Sequence, residues 1–318
     1  MLAARHPHPR DARIVFDEGP HVYRVDGQPY PKSVSGVVED AFPKFDAAGI
    51  VEKQYPTWKE QRSSPYYRLI QYLLFTLKLN DATAKAEIIR SWRAYGESRA
   101  QLGTDLHYEI ETYLNGARDP AKEPTREFAQ FLAWYAVRGP VLGEPYRTEW
   151  SLFSEDVYLA GQLDCLFRRA DGSFVMVDWK CVEALPDTKQ GFNKGFGNPP
   201  CQVLPNTNLS HYYLQQNLYR WFLRTHYGID VREMYLLQVH PSLAAAREHQ
   251  VPNLDVVVDE LMSQRRRYLE LDPGLKQRAP GVQQAPPCER CCWYRELANS
   301  LALQLPPVAI PMEEDPFA

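Results

Sequence analysis

Apolar residues recur along this chain at two spacings, one typical of helices and one typical of strands. Leu106, Ile110 and Leu114 follow one another at intervals of four residues. This spacing predicts a helix from about residue 104 to 114, with Thr104 as its N-cap. A second helix, rich in aromatic residues, is predicted near residues 125–137.

The pattern then changes to short, apolar, β-prone segments, which predict strands at residues 148–153, 158–167 and 173–180. Because short links join these three strands, we expect an antiparallel meander. A helix at residues 210–228 and a strand at 233–241 follow, and this last strand can pair in parallel. One more helix is predicted from about residue 254 to 271. The element order is therefore αβββαβ after a helical block, which predicts an α/β fold with a mixed central sheet flanked by helices.

Three regions follow from this order. Residues 1–100 form a region with a hairpin around Asp26-Gly27, a helix capped by Ser33 or Ser35, and further helices. Residues 101–272 form the αβββαβ core. Residues 273–318 are rich in proline and form an extension of loops with one short helix.

Composition limits the class of protein without naming its partner. The chain has 318 residues, 44% of them hydrophobic, and a net charge of −4, which neither supports nor excludes binding to nucleic acid. No apolar run approaches the ~18 residues that span a bilayer, and the first residues lack a secretory signal. Six cysteines do not form a disulfide framework in a chain this long. We therefore expect an intracellular protein with no membrane partner, in the cytoplasm, nucleus or mitochondrion, or in a host cell for a viral protein.

Asp178 and Lys180 stand two residues apart at the end of a strand that is otherwise apolar. Residues two apart share one face of a strand, so a carboxylate and an ammonium emerge there together. Burying such charges is unfavourable unless they are paired or used. Taken alone, the pair is better explained by a structural salt bridge at the end of a strand.

Asp164 lies in the preceding strand and makes a functional interpretation more specific. A three-residue loop at 170–172, with Gly172 left-handed, would place Arg169 opposite Ser173. The same register places Asp164 opposite Asp178, on one face of the sheet. A two-residue turn would shift the register and separate them. Two carboxylates this close repel unless a cation lies between them, which predicts a site for Mg²⁺ or Mn²⁺.

Two helical pairs at a spacing of four residues add candidates. His107 and Glu111 share one helical face and can look toward the sheet, although an exposed His–Glu pair explains them equally well. Gln215 and Tyr219 repeat the spacing on the later helix, where ordinary amphipathic packing is the alternative explanation.

With these residues in place, the chain resembles the PD-(D/E)XK nuclease superfamily. Within it, the chain is most similar to the RecB-like exonucleases, in particular the mitochondrial genome maintenance exonuclease-like proteins and their viral and phage relatives. The matching stretches occur in the order of that family and cover roughly residues 30 to 240; they are SVSGVV, GTDLHYEIE, GQLDCLF, VDWK and LQQNLYR.

The resemblance implies a restriction-endonuclease-like αβββαβ core and a metal-dependent deoxyribonuclease, and it assigns roles to the matching residues. Asp164 and Asp178 would bind one or two Mg²⁺ or Mn²⁺ ions, together with the backbone carbonyl of Trp179. Lys180 would orient the attacking water. The remaining matches would bind metal (His107 and Glu111) or help to place Lys180 and the DNA backbone (Gln215 and Tyr219).

Some relatives in this family carry an iron–sulfur cluster, but the cysteines here do not fit one. Cys288 and Cys291 supply a late pair, with Cys292 beside them, whereas Leu297 stands where the last ligand is expected. No cysteine precedes Cys165, so the early ligand is missing too. We therefore expect no cluster.

The substrate expected is DNA that is single-stranded or has a single-stranded end, processed in replication, repair or recombination. The segment before the catalytic helix mixes aromatic and basic residues, on which bases can stack and phosphates can rest; Lys59, Arg62 and Tyr67 are the candidate contacts. The resemblance implies that this helical region forms an arch through which a strand threads. The alternatives are that its aromatics only pack helices together, and that the protein is a structure-specific endonuclease, a nucleic-acid-binding module on a nuclease fold, or an unrelated α/β protein with structural ion pairs.

Overall fold

The computed structural model describes residues 1–185 and 195–276. The chain begins with a short helix, α1 (Leu2–Arg5), and a three-stranded antiparallel sheet made of β1 (Ile14–Asp17), β2 (Val22–Val25) and β3 (Gln28–Pro29). Among these described residues, the helices are all too short or too polar to cross a membrane.

The predicted hairpin and the helix that follows it are confirmed. Asp26 and Gly27 connect β2 to β3 with φ values of 51° and 78°, the left-handed backbone that a two-residue hairpin turn requires. Helix α2 (Val34–Asp40) follows, and the Ser33 hydroxyl accepts a hydrogen bond from the Gly36 amide. Ser33, rather than Ser35, is therefore the N-cap.

The next helices are α3 (Ala47–Glu60), α4 (Tyr67–Gln71), which continues into a π-helical turn, and α5 (Asp81–Leu114). The predicted start at Thr104 of the helix that carries His107 is wrong. Asn80 caps α5 by accepting from the Thr83 amide, and the Thr104 hydroxyl bonds to the Ala100 carbonyl within the helix. The helix begins early because an apolar stripe already runs through its first part, at Ala84, Ile88 and Trp92. It crosses residue 100, where the sequence suggested a boundary between regions.

The second sheet has five strands in chain order, and its pairing confirms the predicted meander. Neighbouring strands are antiparallel except for one parallel pair, Phe174–Cys181 with Val231–Val239, which the helix Asn208–His226 joins. The elements of this part are α6 (Arg126–Leu142), β4 (Glu144–Ser154), β5 (Leu159–Arg168), β6 (Phe174–Cys181), α7 (Asn208–His226), β7 (Val231–Val239), β8 (Arg247–Gln250) and α8 (Asp255–Leu271).

Helices cover both faces of this sheet, so the α/β class with a mixed, helix-flanked sheet is confirmed. On one face α2, α7 and α8 pack against residues such as Met176 and Leu236. On the other face α5 and α6 pack against Val175, Val177 and Trp179. A separate apolar cluster joins α3, α4 and the first half of α5.

Candidate metal-binding and catalytic site

The hairpin between β5 and β6 has the three-residue loop that the sequence hypothesis requires. The Arg169 amide donates to the Ser173 carbonyl at 2.9 Å, and Gly172 is left-handed with φ 83°. Pairing then runs from Arg168 opposite Phe174 to Cys165 opposite Val177. The next step in this register sets Asp164 opposite Asp178, and the Trp179 amide donates to the Asp164 carboxylate at 2.9 Å.

A third carboxylate, Glu149, joins the row from β4. Trp150 pairs with Leu163 and Thr148 with Cys165, so Glu149 stands at the position across from Asp164. It has left-handed backbone, with φ 43°. Three adjacent strands therefore each contribute one carboxylate at the same level of the sheet.

His107 reaches this row from α5. Its Nδ1 lies 3.2 Å from Glu149 Oε1, and its Nε2 lies 3.1 Å from the Trp179 carbonyl oxygen and 3.6 Å from Asp164 Oδ2. Ligand atoms of His107, Glu149 and Asp164 all lie within 4.8 Å of one another. These three side chains could hold a metal ion, and their chemistry of two carboxylates and one imidazole suits a divalent cation.

The charges around His107 determine its protonation. Burial lowers its pKa, but the negative charges of Asp164 and Glu149 outweigh burial and raise the pKa to about 9. The imidazole therefore carries a proton at neutral pH when no metal is bound, and it balances the carboxylates. Since a metal ligand must give up that proton, binding of a cation through His107 releases it.

Asp178 and Lys180 form a buried ion pair, with 2.7 Å between Lys180 Nζ and Asp178 Oδ2. Burial and the charge of Asp164 raise the pKa of Asp178. Burial opposes the charge of Lys180, yet Asp178 and Asp164 hold the pKa of Lys180 above its usual range. The ammonium also lies over the ring of Tyr212, 5.0 Å from its centre. Lys180 is thus a fixed cation beside the row of carboxylates.

The other predicted site residues surround this centre. Glu111 is half-buried one helical turn beyond His107, and burial raises the pKa of its carboxyl group. Gln215 donates to the Tyr219 hydroxyl at 3.4 Å. The Tyr219 ring packs against Gly161 of β5, where a Cβ atom would lie 2.8 Å from it, so only glycine fits there. Burial raises the pKa of Tyr219 well above its usual range, and both Asp164 and Asp178 add to the increase.

Sequence reasoning missed Glu149, although a pattern for it was present. A short turn joins β4 to β5, and side chains alternate between the two faces along both strands. The register of this pair can therefore be extended from its turn in the same way as that of β5 and β6. That register places Glu149 across from Asp164. What the sequence could not reveal is the left-handed backbone at Glu149.

Three aromatic residues of the segment that the sequence predicted to bind bases lie in the interior of the helical region. Trp58, Tyr66 and Trp92 are each at most 6% exposed and pack together, with the Trp92 indole donating to the Tyr66 hydroxyl at 3.0 Å. The interpretation of these three rings as a base-stacking surface is wrong, because packing of the helices buries them.

The three candidate DNA contacts have different surroundings. Lys59 forms an exposed ion pair with Asp81 at 2.9 Å. Arg62 is exposed and Tyr67 is half-buried. Their assignment to DNA remains a prediction.

The cysteines that the structure describes are buried free thiols. Burial raises the pKa of Cys165, Cys181 and Cys201, which makes each an unreactive apolar side chain. Cys288, Cys291 and Cys292 lie outside the described residues.

Comparison with known proteins yields only distant structural similarity. No family model matches the chain, and no curated protein matches it either. Among solved structures, SSO0001 is 14% identical, with 87% of this chain and 85% of that one covered and a TM-score of 0.31. A protein from Eubacterium rectale with the provisional name exonuclease is 12% identical, with 60% and 73% covered and a TM-score of 0.36. These similarities are too weak to assign a function, which has to be argued from the residues of the site.

Proposed function

We propose that this protein is a metal-dependent deoxyribonuclease of the PD-(D/E)XK type, with Asp164, Asp178 and Lys180 at its centre. One observation carries the proposal. Three adjacent strands each contribute a carboxylate at the same level of the sheet, with an imidazole and an ammonium beside them. Like charges packed this closely destabilise a protein unless a cation or a reaction uses them.

The ligand types favour Mg²⁺ or Mn²⁺. Carboxylate and carbonyl oxygens are the usual partners of both ions, and one imidazole is compatible with Mn²⁺. Asp164 and Asp178 would hold one ion or two, and Glu111 would contribute directly or through water. The other ligands would be His107, Glu149 and the Trp179 carbonyl, and two of these already face each other at 3.1 Å. The bound metal would supply neutralisation of the scissile phosphate and a lower pKa for the attacking water.

The remaining chemistry belongs to side chains of the protein. Lys180, held by Asp178 at 2.7 Å, would orient the attacking water and stabilise the negative charge that develops on the phosphate. Gln215 and Tyr219, which contact each other on α7, would position Lys180 and the backbone of the bound strand. Asp164 accepts from the Trp179 amide, an arrangement that would keep its carboxylate oriented toward the metal.

More specifically, we propose that the protein is an exonuclease that acts on single-stranded DNA ends in replication, repair or recombination. The support is the helical region before residue 100, which is continuous with the site through α5. Its exposed basic residues include Arg62 and Arg68, with Tyr67 half-buried beside them, a combination suited to a single strand. A region of this kind arching over the site would admit a free end and exclude duplex.

The test is cleavage of four end-labelled or closed substrates with Mg²⁺ or Mn²⁺: linear single strands, circular single strands, blunt duplex and flapped duplex. We expect progressive degradation of the linear strand, resistance of the circle, and complete inhibition by EDTA. Asp178→Ala should abolish cleavage, whereas Asp230→Ala, at an exposed position before β7, should not.

Three other outcomes would each contradict a different part of this proposal. Rapid cleavage of the circle would replace the exonuclease with an endonuclease and remove the arch. Binding of DNA without cleavage under any metal condition would identify a binding module instead. Cleavage that survives Asp178→Ala and EDTA would refute the site altogether.

A further inference from the structure

We propose that Arg99 and His240 form a second phosphate-binding site, which holds the nucleic-acid strand at a distance from the reacting phosphate. This inference rests on the proposed nuclease function and adds to it a substrate contact outside the carboxylate row. Neither residue belongs to a motif that the sequence singled out.

The pair lies at the same end of the sheet as the candidate active site. His240 directly follows β7, whose parallel partner β6 carries Asp178 and Lys180. Arg99 lies on α5, eight residues before His107, which is about 12 Å along the helix axis. Arg99 also lies near the end of β6. Burial raises the pKa of Cys181 there, and the positive charge of Arg99 partly offsets this increase.

Arg99 is a cation whose partners are neutral. Its Nε and Nη2 both donate to the Tyr95 hydroxyl, at 2.9 and 2.7 Å, and Nη1 contacts Nε2 of His240. Within residues 1–185 and 195–276, it forms no ion pair with a carboxylate. Partly buried arginines elsewhere in the fold do, as Arg169 does with Glu233 at 2.6 Å. A guanidinium that is fixed in position, with no carboxylate at ion-pair distance among the described residues, is suited to an anion.

The hydrogen bonds of His240 strengthen this conclusion. Burial and the charge of Arg99 lower the pKa of this histidine, so its neutral ring can accept at Nε2 from Arg99 Nη1. Its Nδ1 lies 2.7 Å from the Ser242 hydroxyl oxygen and can donate to it. The histidine therefore fixes the guanidinium in place, and the remaining N–H groups of Arg99 can donate to a phosphate oxygen.

The surroundings make the site selective rather than broadly basic. Glu127 and Glu183 lie near enough to raise the pKa of His240, so this part of the surface does not attract anions from a distance. His240 is 6% exposed and its backbone is fixed by two hydrogen bonds with the Gln130 side chain. The anion must therefore be brought in close, as one phosphate of a strand already bound at the active site.

Binding of DNA at several salt concentrations tests the contact directly. The measurement uses the full chain with Asp178→Asn, so that bound DNA is not degraded. Adding Arg99→Gln should reduce the slope of log K against log salt by about one unit, because one phosphate contact is lost. Arg99→Lys should retain most of the slope. The matched control is Arg267→Gln on α8, at the opposite face of the sheet, which should leave the slope unchanged.

Cleavage of a long and a very short substrate separates binding from structural damage. In the active protein, Arg99→Gln should lower kcat/KM for a single strand of 20 nucleotides or so by about tenfold. The same variant should cleave bis(4-nitrophenyl) phosphate, which is too small to reach Arg99, at the rate of the unaltered protein. Equal losses on both substrates would mean that Arg99 only supports the fold, and an unchanged slope would refute the contact. If the unaltered protein cleaves neither substrate, the proposed function fails, while the salt measurement still decides whether Arg99 binds phosphate.

Discussion

The carboxylate row of the sheet and the aromatic cluster of the helical region differ in what burial does to them. Both contain residue types that suggest function from the sequence. In the sheet, Asp164 and Asp178 are at most 8% exposed, and burial raises the pKa of Asp178. In the helical region, Trp58 and Trp92 are buried to a similar degree but pack edge to face at 6.1 Å, which is favourable for aromatic rings.

Burial has opposite effects on the stability of these two kinds of side chain. Removing water from an apolar ring stabilises the fold, so a buried tryptophan is explained by packing alone. Removing water from a carboxylate destabilises the fold unless another group compensates. In the carboxylate row the compensation comes from protonated His107 and from Lys180, so its charges need a partner that the aromatic cluster does not.

The largest expected effect tests the carboxylate row. Asp178→Asn should reduce metal-dependent DNA cleavage at least about 1,000-fold. Its metal-free melting temperature should change little, because the substitution relieves the repulsion between Asp178 and Asp164 but also removes the partner of the Lys180 ammonium. Cleavage rates and thermal unfolding in EDTA provide the two readouts. A large fall in the metal-free melting temperature would assign Asp178 a structural role instead.

The next effect tests the aromatic cluster. Trp92→Ala should lower the free energy of unfolding by about 3 to 5 kcal/mol, because it leaves a cavity among packed rings. Phe75→Ala, at a position 71% exposed, should change it by less than about 0.5 kcal/mol. Urea unfolding measures both. If Trp92→Ala weakened DNA binding without loss of stability, Trp92 would be a base contact after all.

The third prediction concerns pH. The folded state raises the pKa of His107 from 6.5 to about 9, so its contribution to stability is complete below pH 6.5 and is lost as pH rises through 9. The loss is at most about 3 kcal/mol in the metal-free protein. Urea unfolding between pH 6 and 9.5 should show a decline that His107→Gln flattens. His21→Asn, at an exposed position with left-handed backbone, should leave the decline intact.

The smallest expected effect concerns the ligand that the sequence did not reveal. Glu149→Gln should weaken Mn²⁺ binding by about 10- to 100-fold, while Glu144→Gln, exposed on the same strand, should leave it unchanged. Calorimetric titration of the metal gives both values. Equal affinities in the two variants would remove Glu149 from the ligand group.

The sequence was most informative where local geometry follows from a repeating rule. The hairpin from Arg168 to Phe174 has a loop whose length sets the register. That register runs to Cys165 opposite Val177, one residue short of Asp164 and Asp178. Strand order and direction followed in the same way from the lengths of the links.

The sequence was least informative where tertiary packing decides. Thr104 has the right chemistry for a cap, yet packing of α5 against α3 extends the helix back to Asp81. Strand β8 (Arg247–Gln250) was not predicted, because its polar sequence gains β structure only by pairing with β7. The backbone conformation at Glu149 likewise depends on its neighbours in the sheet.

Helix α5 gives the protein a mechanical property that neither region has alone. Its 34 residues form a rod about 51 Å long, anchored at one end by Trp92 and at the other by Leu106 and Ile110. A force applied to the helical region would move His107 as well, because a continuous helix bends little along its axis. Proteolytic cleavage near residue 100 would convert the rod into two frayed ends, one of them about two turns from His107. A displacement of the helical region, on binding or release of a partner, should therefore be transmitted along α5 to His107 and the carboxylate row.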